Sequence, residues 1–399
     1  MTIAAIAAEY NPFHNGHAYH IAKTREAGAT HIVAVMSGNF TQRGTPAIAE
    51  KRARARSALA GGADLIIELP LPYAMATAQR FAYGVAGIVE GMGCVDVLSF
   101  GSESGYLSIL KAAANAVDSP AVCERMTQHL NTGVTFARAR QQAVSELCGD
   151  EVAEMLGNPN DALAVEYIRQ LGLMRSRVVP FAVERNGARH DAHAPKGEMA
   201  SASFLRALMR SGGIGAIADF MPAYAHEVMQ TSAREALAPF DEKKLEPMML
   251  GVLRRMTARE ISRVPDLSEG LENRIYAAIR QGCSVEEIYT LAKSKRYTAA
   301  RIRRVIMSAF LGLEASFAEQ YPPYIRVIGF NARGRQILSR MKETARLPVS
   351  DSLAYLSRVN GTCAAFAELE SRTTDIYLLG LPVVRPCGYD FTAESIRNI

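Results

Sequence analysis

The chain has no tryptophan, no CxxC or CxxH pair, no internal repeat and no low-complexity tract. Its six cysteines, at 94, 123, 148, 283, 363 and 387, are scattered. That pattern argues against a disulfide framework or a zinc ribbon, and it fits a reducing cytoplasm. No apolar run approaches the ~18–20 residues that a membrane helix needs, so no membrane partner is expected. The opening MTIAAIAAEYNPF is apolar but short and lacks a basic flank. It reads as a buried strand rather than a signal peptide.

What is present is enough to build a sizeable core. The chain has 399 residues, 49% of them hydrophobic, so more than one domain is expected and a disordered chain is excluded. The net charge of +5 is modest but unevenly placed. Residues 241–350 hold 20 Lys and Arg against 12 Asp and Glu, which points to a polyanionic partner for that part.

The first hundred residues alternate apolar runs with helical ones: IAAIAAEY, a helix from about 16 to 27, HIVAVMSG, IAEKRARARSALAGG, DLIIELP, ATAQRFAYGVAGIVEG and VDVLSFGSE. Continuous apolar strands between helices predict a parallel sheet covered on both faces. Ligands then bind at the carboxyl ends of the strands. Those ends are EYNPFHNGH, MSGNFTQRG, ELPLP and FGSESG. Residues 104–173 read as helical, RVVPFAVER as a fifth strand, and SASFLRALMRSGG as a helix with a serine start. Residues 220–320 read as almost wholly helical, and the tail as a small mixed unit. The expected fold is α/β: a Rossmann-like parallel-sheet domain over 1–215, then a mostly helical basic region with a small α/β tail over 216–399.

His14-Asn15-Gly16-His17 falls between a strand and a helix, where free N–H groups and the helix dipole favour an anion. Gly16 permits close approach of a phosphate, and two histidines can donate to phosphate oxygens as charge develops. A metal reading lacks a third ligand at suitable spacing, so no metal residue is assigned. Much later, Ala200-Ser201-Ala202-Ser203-Phe204-Leu205-Arg206 opens a helix with hydroxyls and then a cation. The HxGH and serine–arginine pair is similar to that of the HIGH-type nucleotidyltransferases, in which the second element serves the β- and γ-phosphates. The residues expected to act in catalysis are therefore His14, His17, Ser203 and Arg206.

Taken together, EYNPFHNGH, AVMSGNFTQRGTPA, ADLIIELP, FGSESG, NPND, the ER after the fifth strand and KRYTAARIRR resemble the tRNA(Met) cytidine acetate ligase family, over residues 2 to about 335. The resemblance implies an enzyme that adenylates acetate with ATP, releases pyrophosphate and acetylates N4 of the wobble cytidine of elongator tRNA(Met). Magnesium is expected from the ATP chemistry itself, with no protein ligand named. The resemblance also implies ATP contacts from the strand Ile3, Ala4, Ala5, Ile6, Ala7 and Ala8, from the turn Glu9, Tyr10, Asn11, Pro12 and Phe13, and from the helix start His14, Asn15, Gly16, His17, Ala18, Tyr19 and His20. Gly101, Asn160 and Arg185 complete that set.

From the residues themselves, Ser37, Asn39, Gln42 and Arg43 are expected to line a small-acid pocket, with Arg43 facing the carboxylate. Glu9 is a candidate to orient a histidine or Lys23. Lys293, Lys295, Arg296, Tyr297, Arg301, Arg303 and Arg304 are expected to contact tRNA, with Tyr297 stacking on a base. Lys51, Arg52, Arg54 and Arg56 form a second basic run beside the site, expected either to touch the RNA backbone or to be a plain exposed helix face. Two other readings stay open on the motifs alone: a small-molecule nucleotidyltransferase, and a non-catalytic nucleotide- or RNA-binding protein.

Overall fold

The computed structural model describes residues 1–185, 197, 199–268 and 270–397. Its centre is an eight-stranded sheet: β1 (Ile3–Ala8), β2 (His31–Ser37), β3 (Leu65–Leu69), β4 (Val97–Ser102), β5 (Val179–Glu184), β6 (Ile325–Phe330), β7 (Val349–Ser350) and β8 (Ile396–Arg397). The order is β5-β4-β1-β2-β3-β6-β7, with β8 also on β6. The first five strands are parallel, and β6 pairs antiparallel with β3. The chain runs outward from β1 through β2 and β3, then returns to place β4 on its other side. β1 is therefore the switch point at which ligands bind beyond the carboxyl ends.

The apolar strands are buried from both faces, and their side chains alternate accordingly. Ile3, Ala5, Val33, Val35, Leu65 and Ile67 pack into one core with Phe81, Val85 and Ile88. Ala4, Ile6, Ile32, Ala34 and Ile66 pack into another with Ile21, Ala55 and Leu59. The second face is covered by α1 (Asn15–Glu26) and α2 (Lys51–Ala60), the first by α3 (Ala78–Met92) and α4 (Pro159–Leu173). Glycines set the tight spacing of α3. A methyl at Gly84 would lie 2.3 Å from the Tyr73 Cβ, and one at Gly91 2.4 Å from a Leu347 methyl.

The basic half is helical as expected. It builds a separate apolar cluster around Leu253, Ile275, Ile306, Phe310 and Tyr377. The strands of the tail do not stand apart, however. β6 crosses the expected 215/216 boundary to extend the N-terminal sheet, carrying β7 and β8 with it. TTDIYLLG, in the tail expected to be mixed, closes a helix that includes Gly361–Leu378.

A buried ionic cluster fastens this junction. Lys51 Nζ lies 2.6 Å from Glu68 and 2.5 Å from Asp390. Arg326 on β6 reaches Glu68 at 2.8 Å and Asp390 at 2.9 Å, and Arg52 reaches Asp390 at 3.1 Å. The three cations hold the Asp390 carboxyl well below its usual range, against the opposing effect of burial. Glu370 is different: burial first, and then the charge of Glu68, push it up to about 8. Lys51 and Arg52 are therefore not an RNA-facing surface. Arg54 is also buried, donating to the carbonyls of Glu9, Ser37, Gly38 and Ala49. It ties the loop after β1 to the loop after β2. Arg56 alone of the run is half-buried near the surface, paired with Glu235 at 2.7 Å.

Candidate active site

After β1 the chain turns sharply. Tyr10 adopts a left-handed φ of 47°, a conformation that costs a non-glycine residue roughly 1–2 kcal/mol. The turn delivers His14 as the N-cap of α1. Its Nδ1 accepts the Gly16 N–H at 3.1 Å, while His17 Nδ1 accepts the His14 N–H at 3.2 Å. The two rings stack with centroids 3.7 Å apart, and Tyr10 meets His17 edge-on at 4.9 Å. Gly16 is required by this packing, since a methyl there would lie 2.9 Å from His14 Cε1.

The reciprocal caps fix a tautomer. Each Nδ1 is an acceptor, so each neutral imidazole carries its proton on Nε2. Both Nε2–H groups are then available as donors at the positive end of a helix. Neutrality is enforced. Burial first, then Arg185 and Arg206, push His14 down to about 3. Burial and then His14 hold His17 well below its ordinary value. Burial and Arg185 push His20 down to about 4. His20 Nε2 bonds Ser99 Oγ at 2.9 Å, and Ser99 also meets Thr24 Oγ1 at 2.7 Å.

The late serine element closes on the same place. Ser201 caps α5 (Ala202–Gly212) by accepting the Phe204 N–H at 3.1 Å, and it lies 3.0 Å from Ser203 Oγ. Arg206 Nη1 donates to the Asn11 carbonyl at 2.8 Å, so the two motifs are directly joined. Asn11 is itself fixed, its Oδ1 accepting the Ile48 N–H at 2.8 Å. A cleft of about 240 Å³ opens here, lined by Glu9, His14, Gly16, His17, His20, Ser201, Ser203 and Arg206, and by Gly101, Asn160 and Arg185 from the β4 and β5 side.

Asn160 is held by Glu103 Oε1, to which both its backbone N–H, at 3.2 Å, and its Nδ2 donate. Asn158 instead points to Asp161, at 3.2 Å. Sequence reasoning missed the apolar wall of Phe81, Phe100, Leu163, Tyr167 and Val183, in which Phe100 and Tyr167 stack at 5.7 Å. Such residues are indistinguishable from core residues until the topology opens a cleft beside them.

Several expected residues lie elsewhere. Ile3, Ala4 and Ala5 are inside the sheet, and the cleft begins at Ile6. Pro12, Phe13, Asn15 and Ala18 also lie off the cleft wall; Phe13 packs beneath Gly61. Of the expected acid-pocket residues, Gln42 and Arg43 line the cleft, but Ser37 and Asn39 do not. Both are buried, and Asn39 accepts the Lys51 N–H at 2.9 Å and donates to Thr374 at 3.3 Å. Glu9 orients neither a histidine nor Lys23. It accepts the Gln42 N–H at 2.9 Å, and Lys23 pairs with Glu26 at 2.5 Å.

In the basic segment, Lys293, Lys295 and Arg296 are exposed and Arg303 is half-buried. Tyr297 is only 7% exposed, inside the helical core with the Arg301 guanidinium 5.2 Å over its ring. It is therefore not free to stack on a base. Asp266 neutralises Arg304 at 2.5 Å and lies 3.6 Å from Arg301. This segment leads into α6 (Ala299–Leu311), which touches the cleft loop through Gly44. At a φ of 74°, Gly44 lies so close that a methyl would sit 2.5 Å from the Arg304 nitrogen.

Residues 1–386 match the HIGH Nucleotidyl Transferase family. The chain is 36% identical to a Thermoanaerobacter sp. (strain X514) protein named tRNA(Met) cytidine acetate ligase, over 100% of both chains. A protein of the same name from Acetivibrio thermocellus is 32% identical over 99% of this chain and 100% of that one. The crystal structure of apo Thermotoga maritima TmcAL superposes with a TM-score of 0.95 at 30% identity, covering 100% of each chain. The form of that protein bound with α-thio ATP superposes with a TM-score of 0.93.

Proposed function

The chain belongs to the tRNA(Met) cytidine acetate ligases within the HIGH nucleotidyl transferase family, and from that premise we propose the following reaction and residue roles. It is an ATP-dependent ligase that activates acetate as acetyl-adenylate and transfers the acetyl group to N4 of the wobble cytidine of elongator tRNA(Met). One observation carries the proposal for the site: two histidines whose Nδ1 atoms are taken up by backbone N–H groups at a helix N-terminus line one cleft with Arg206.

His14, Gly16 and His17 receive the ATP phosphates, and the two donors strengthen as charge grows on the α-phosphorus. Ser203 and Arg206 hold the leaving pyrophosphate. Gly101 and Asn160 flank the ribose and base, the apolar wall around Phe100 and Tyr167 borders the adenine, and Arg185 offsets phosphate charge at the mouth. Gln42 and Arg43 form the acetate side, with Arg43 opposing the carboxylate. Magnesium enters with ATP. The triphosphate oxygens are hard ligands of the kind magnesium prefers.

The catalytic groups lie in 1–215 and the exposed basic residues Lys293, Lys295 and Arg296 in 216–399, so the second part receives the tRNA. No helix among the described residues is long and apolar enough to cross a membrane. A cytoplasmic location belongs to the same proposal. The test is to incubate the protein with ATP, labelled acetate and tRNA(Met), then digest the RNA and measure N4-acetylcytidine. Absence of product, or product formed only with acetyl-CoA, refutes the reaction.

A further inference from the structure

We propose that Glu9 is the base that takes the proton from the cytidine amine during acetyl transfer, an assignment that rests on the reaction proposed above. Transfer must remove a proton from N4, and few groups lining the cleft can accept one. Nδ1 of His14 and of His17 is already occupied by a backbone N–H, and their Nε2 atoms carry protons. His20 donates its Nε2–H to Ser99, whose own proton goes to Thr24, and burial with the Arg185 charge disfavours a second proton on its ring. The arginines, serines and buried tyrosines offer protons rather than take them. Glu184 is exposed at the rim, its side chain packed on Gly105.

Glu9 is placed differently. It follows β1 directly, at the switch point, and lines the cleft half-buried. Oε1 accepts the Gln42 N–H at 2.9 Å. Among the described residues, Oε2 makes no hydrogen bond or ion pair. Arg206 and Arg54 face its charge, as does the Tyr167 hydroxyl. These groups fix the carboxylate beside the loop assigned to acetate and leave one oxygen open to the cleft.

In the step, the N4 lone pair attacks the acetyl carbonyl carbon. The bond from that carbon to the phosphate oxygen breaks, and its electron pair leaves with AMP. The N4 proton passes to the Glu9 carboxylate and then to water.

The test compares Glu9→Gln and Glu9→Ala with the wild-type protein in two assays. One is acetate-dependent exchange between ATP and pyrophosphate; the other is single-turnover transfer from synthetic acetyl-adenylate to tRNA(Met). Glutamine keeps an oxygen for the Gln42 N–H, so a mere positioning role survives Glu9→Gln and a base does not. The expected result is a fall in transfer of about 10²–10⁴-fold in both variants, with a less than tenfold fall in exchange for Glu9→Gln. Wild-type transfer by Glu9→Gln overturns the assignment and makes the departing phosphate the acceptor. Equal losses of exchange and transfer in Glu9→Gln also overturn it, placing Glu9 in activation. If the wild-type protein acetylates no tRNA from ATP and acetate, the underlying reaction fails instead.

Discussion

Replacing Gly16 by alanine separates the chemistry of the site from the stability of the fold. Gly16 lies in the first turn of α1 with ordinary helical backbone, and alanine is favoured over glycine in helices by up to ~1 kcal/mol. The substitution is therefore neutral or mildly favourable for the helix itself. The added methyl meets His14 Cε1 at 2.9 Å and Nδ1 at 3.1 Å, so the imidazole must move by several tenths of an ångström. That movement breaks the Nδ1 bond to the residue-16 N–H, at 3.1 Å, and the 3.7 Å stack on His17. It also releases the tautomer that holds a proton on Nε2.

Loss of one preorganised donor to a developing charge costs about 10²–10³ in kcat, or ~2.7–4 kcal/mol. The assay is acetate-dependent exchange between ATP and pyrophosphate, with thermal unfolding measured alongside. The expected result is a fall in kcat of about 10²-fold or more, a smaller change in KM for ATP, and only a small fall in Tm, since the ~1 kcal/mol lost with the cap is largely offset by the alanine. Full turnover by Gly16→Ala refutes the donor geometry. A fall in Tm that accounts for the lost activity refutes the separation of chemistry from stability.

Acid should destabilise the protein through its histidines. His14 and His20 are depressed to about 3 and about 4 from 6.5, so stability is present above pH 6.5 and is lost as pH falls towards the folded values. Between pH 7 and pH 5 the loss is about 2 kcal/mol for each histidine; urea midpoints at the two pH values should show His20→Asn less acid-sensitive than wild type. Asp390→Asn removes the shared partner of Lys51, Arg52 and Arg326 and should cost about 3–5 kcal/mol by urea unfolding. A cost below about 1 kcal/mol would show that this cluster does not fasten the β3–β6 junction. Alanine at Lys293, Lys295 and Arg296 together should weaken tRNA binding and lower the salt slope, by about 0.7 per lost phosphate contact for a single strand. Tyr297→Phe should leave the affinity unchanged in the same filter-binding titration.

Legibility followed the range of the interactions. The HNGH turn was readable because its chemistry is local: a strand, a glycine and a helix start lie within a few residues. The five parallel strands were readable from continuous apolar runs. Lys51, Arg52 and Arg54 misled for the opposite reason. A charge run resembles a solvated face until partners far along the chain bury it, and Asp390 lies 339 positions from Lys51. Tyr297 misled similarly, because a lone aromatic before a basic helix carries no periodicity to show which way it faces. Ser37 and Asn39 stand at a strand end where ligands are expected, yet Ser37 is buried as the last residue of β2 and the loop turns Asn39 back onto α2 and Thr374. The joining of β6 to β3 could not be read at all, since an antiparallel partner can come from anywhere in the chain.

The same long-range contacts bear on the proposed division of labour, in which the second part of the chain receives the tRNA. An RNA-binding region on a flexible tether would present the wobble base at variable distances from acetyl-adenylate, and a misplacement of about 1 Å can cost about 10²-fold in rate. Here α6 meets the cleft loop backbone to backbone at Gly44, next to Gln42 and Arg43. Asp266 anchors Arg304 at that contact, and the Glu9 carboxylate holds the Gln42 end of the loop. The buried cluster of Lys51, Glu68, Arg326 and Asp390 locks β6 to β3 in the same sheet. The exposed cations of the basic region therefore stand at a fixed distance from the histidine pair. That rigidity is what a reaction needs when its acyl donor is made in the cleft and its acceptor arrives on a macromolecule.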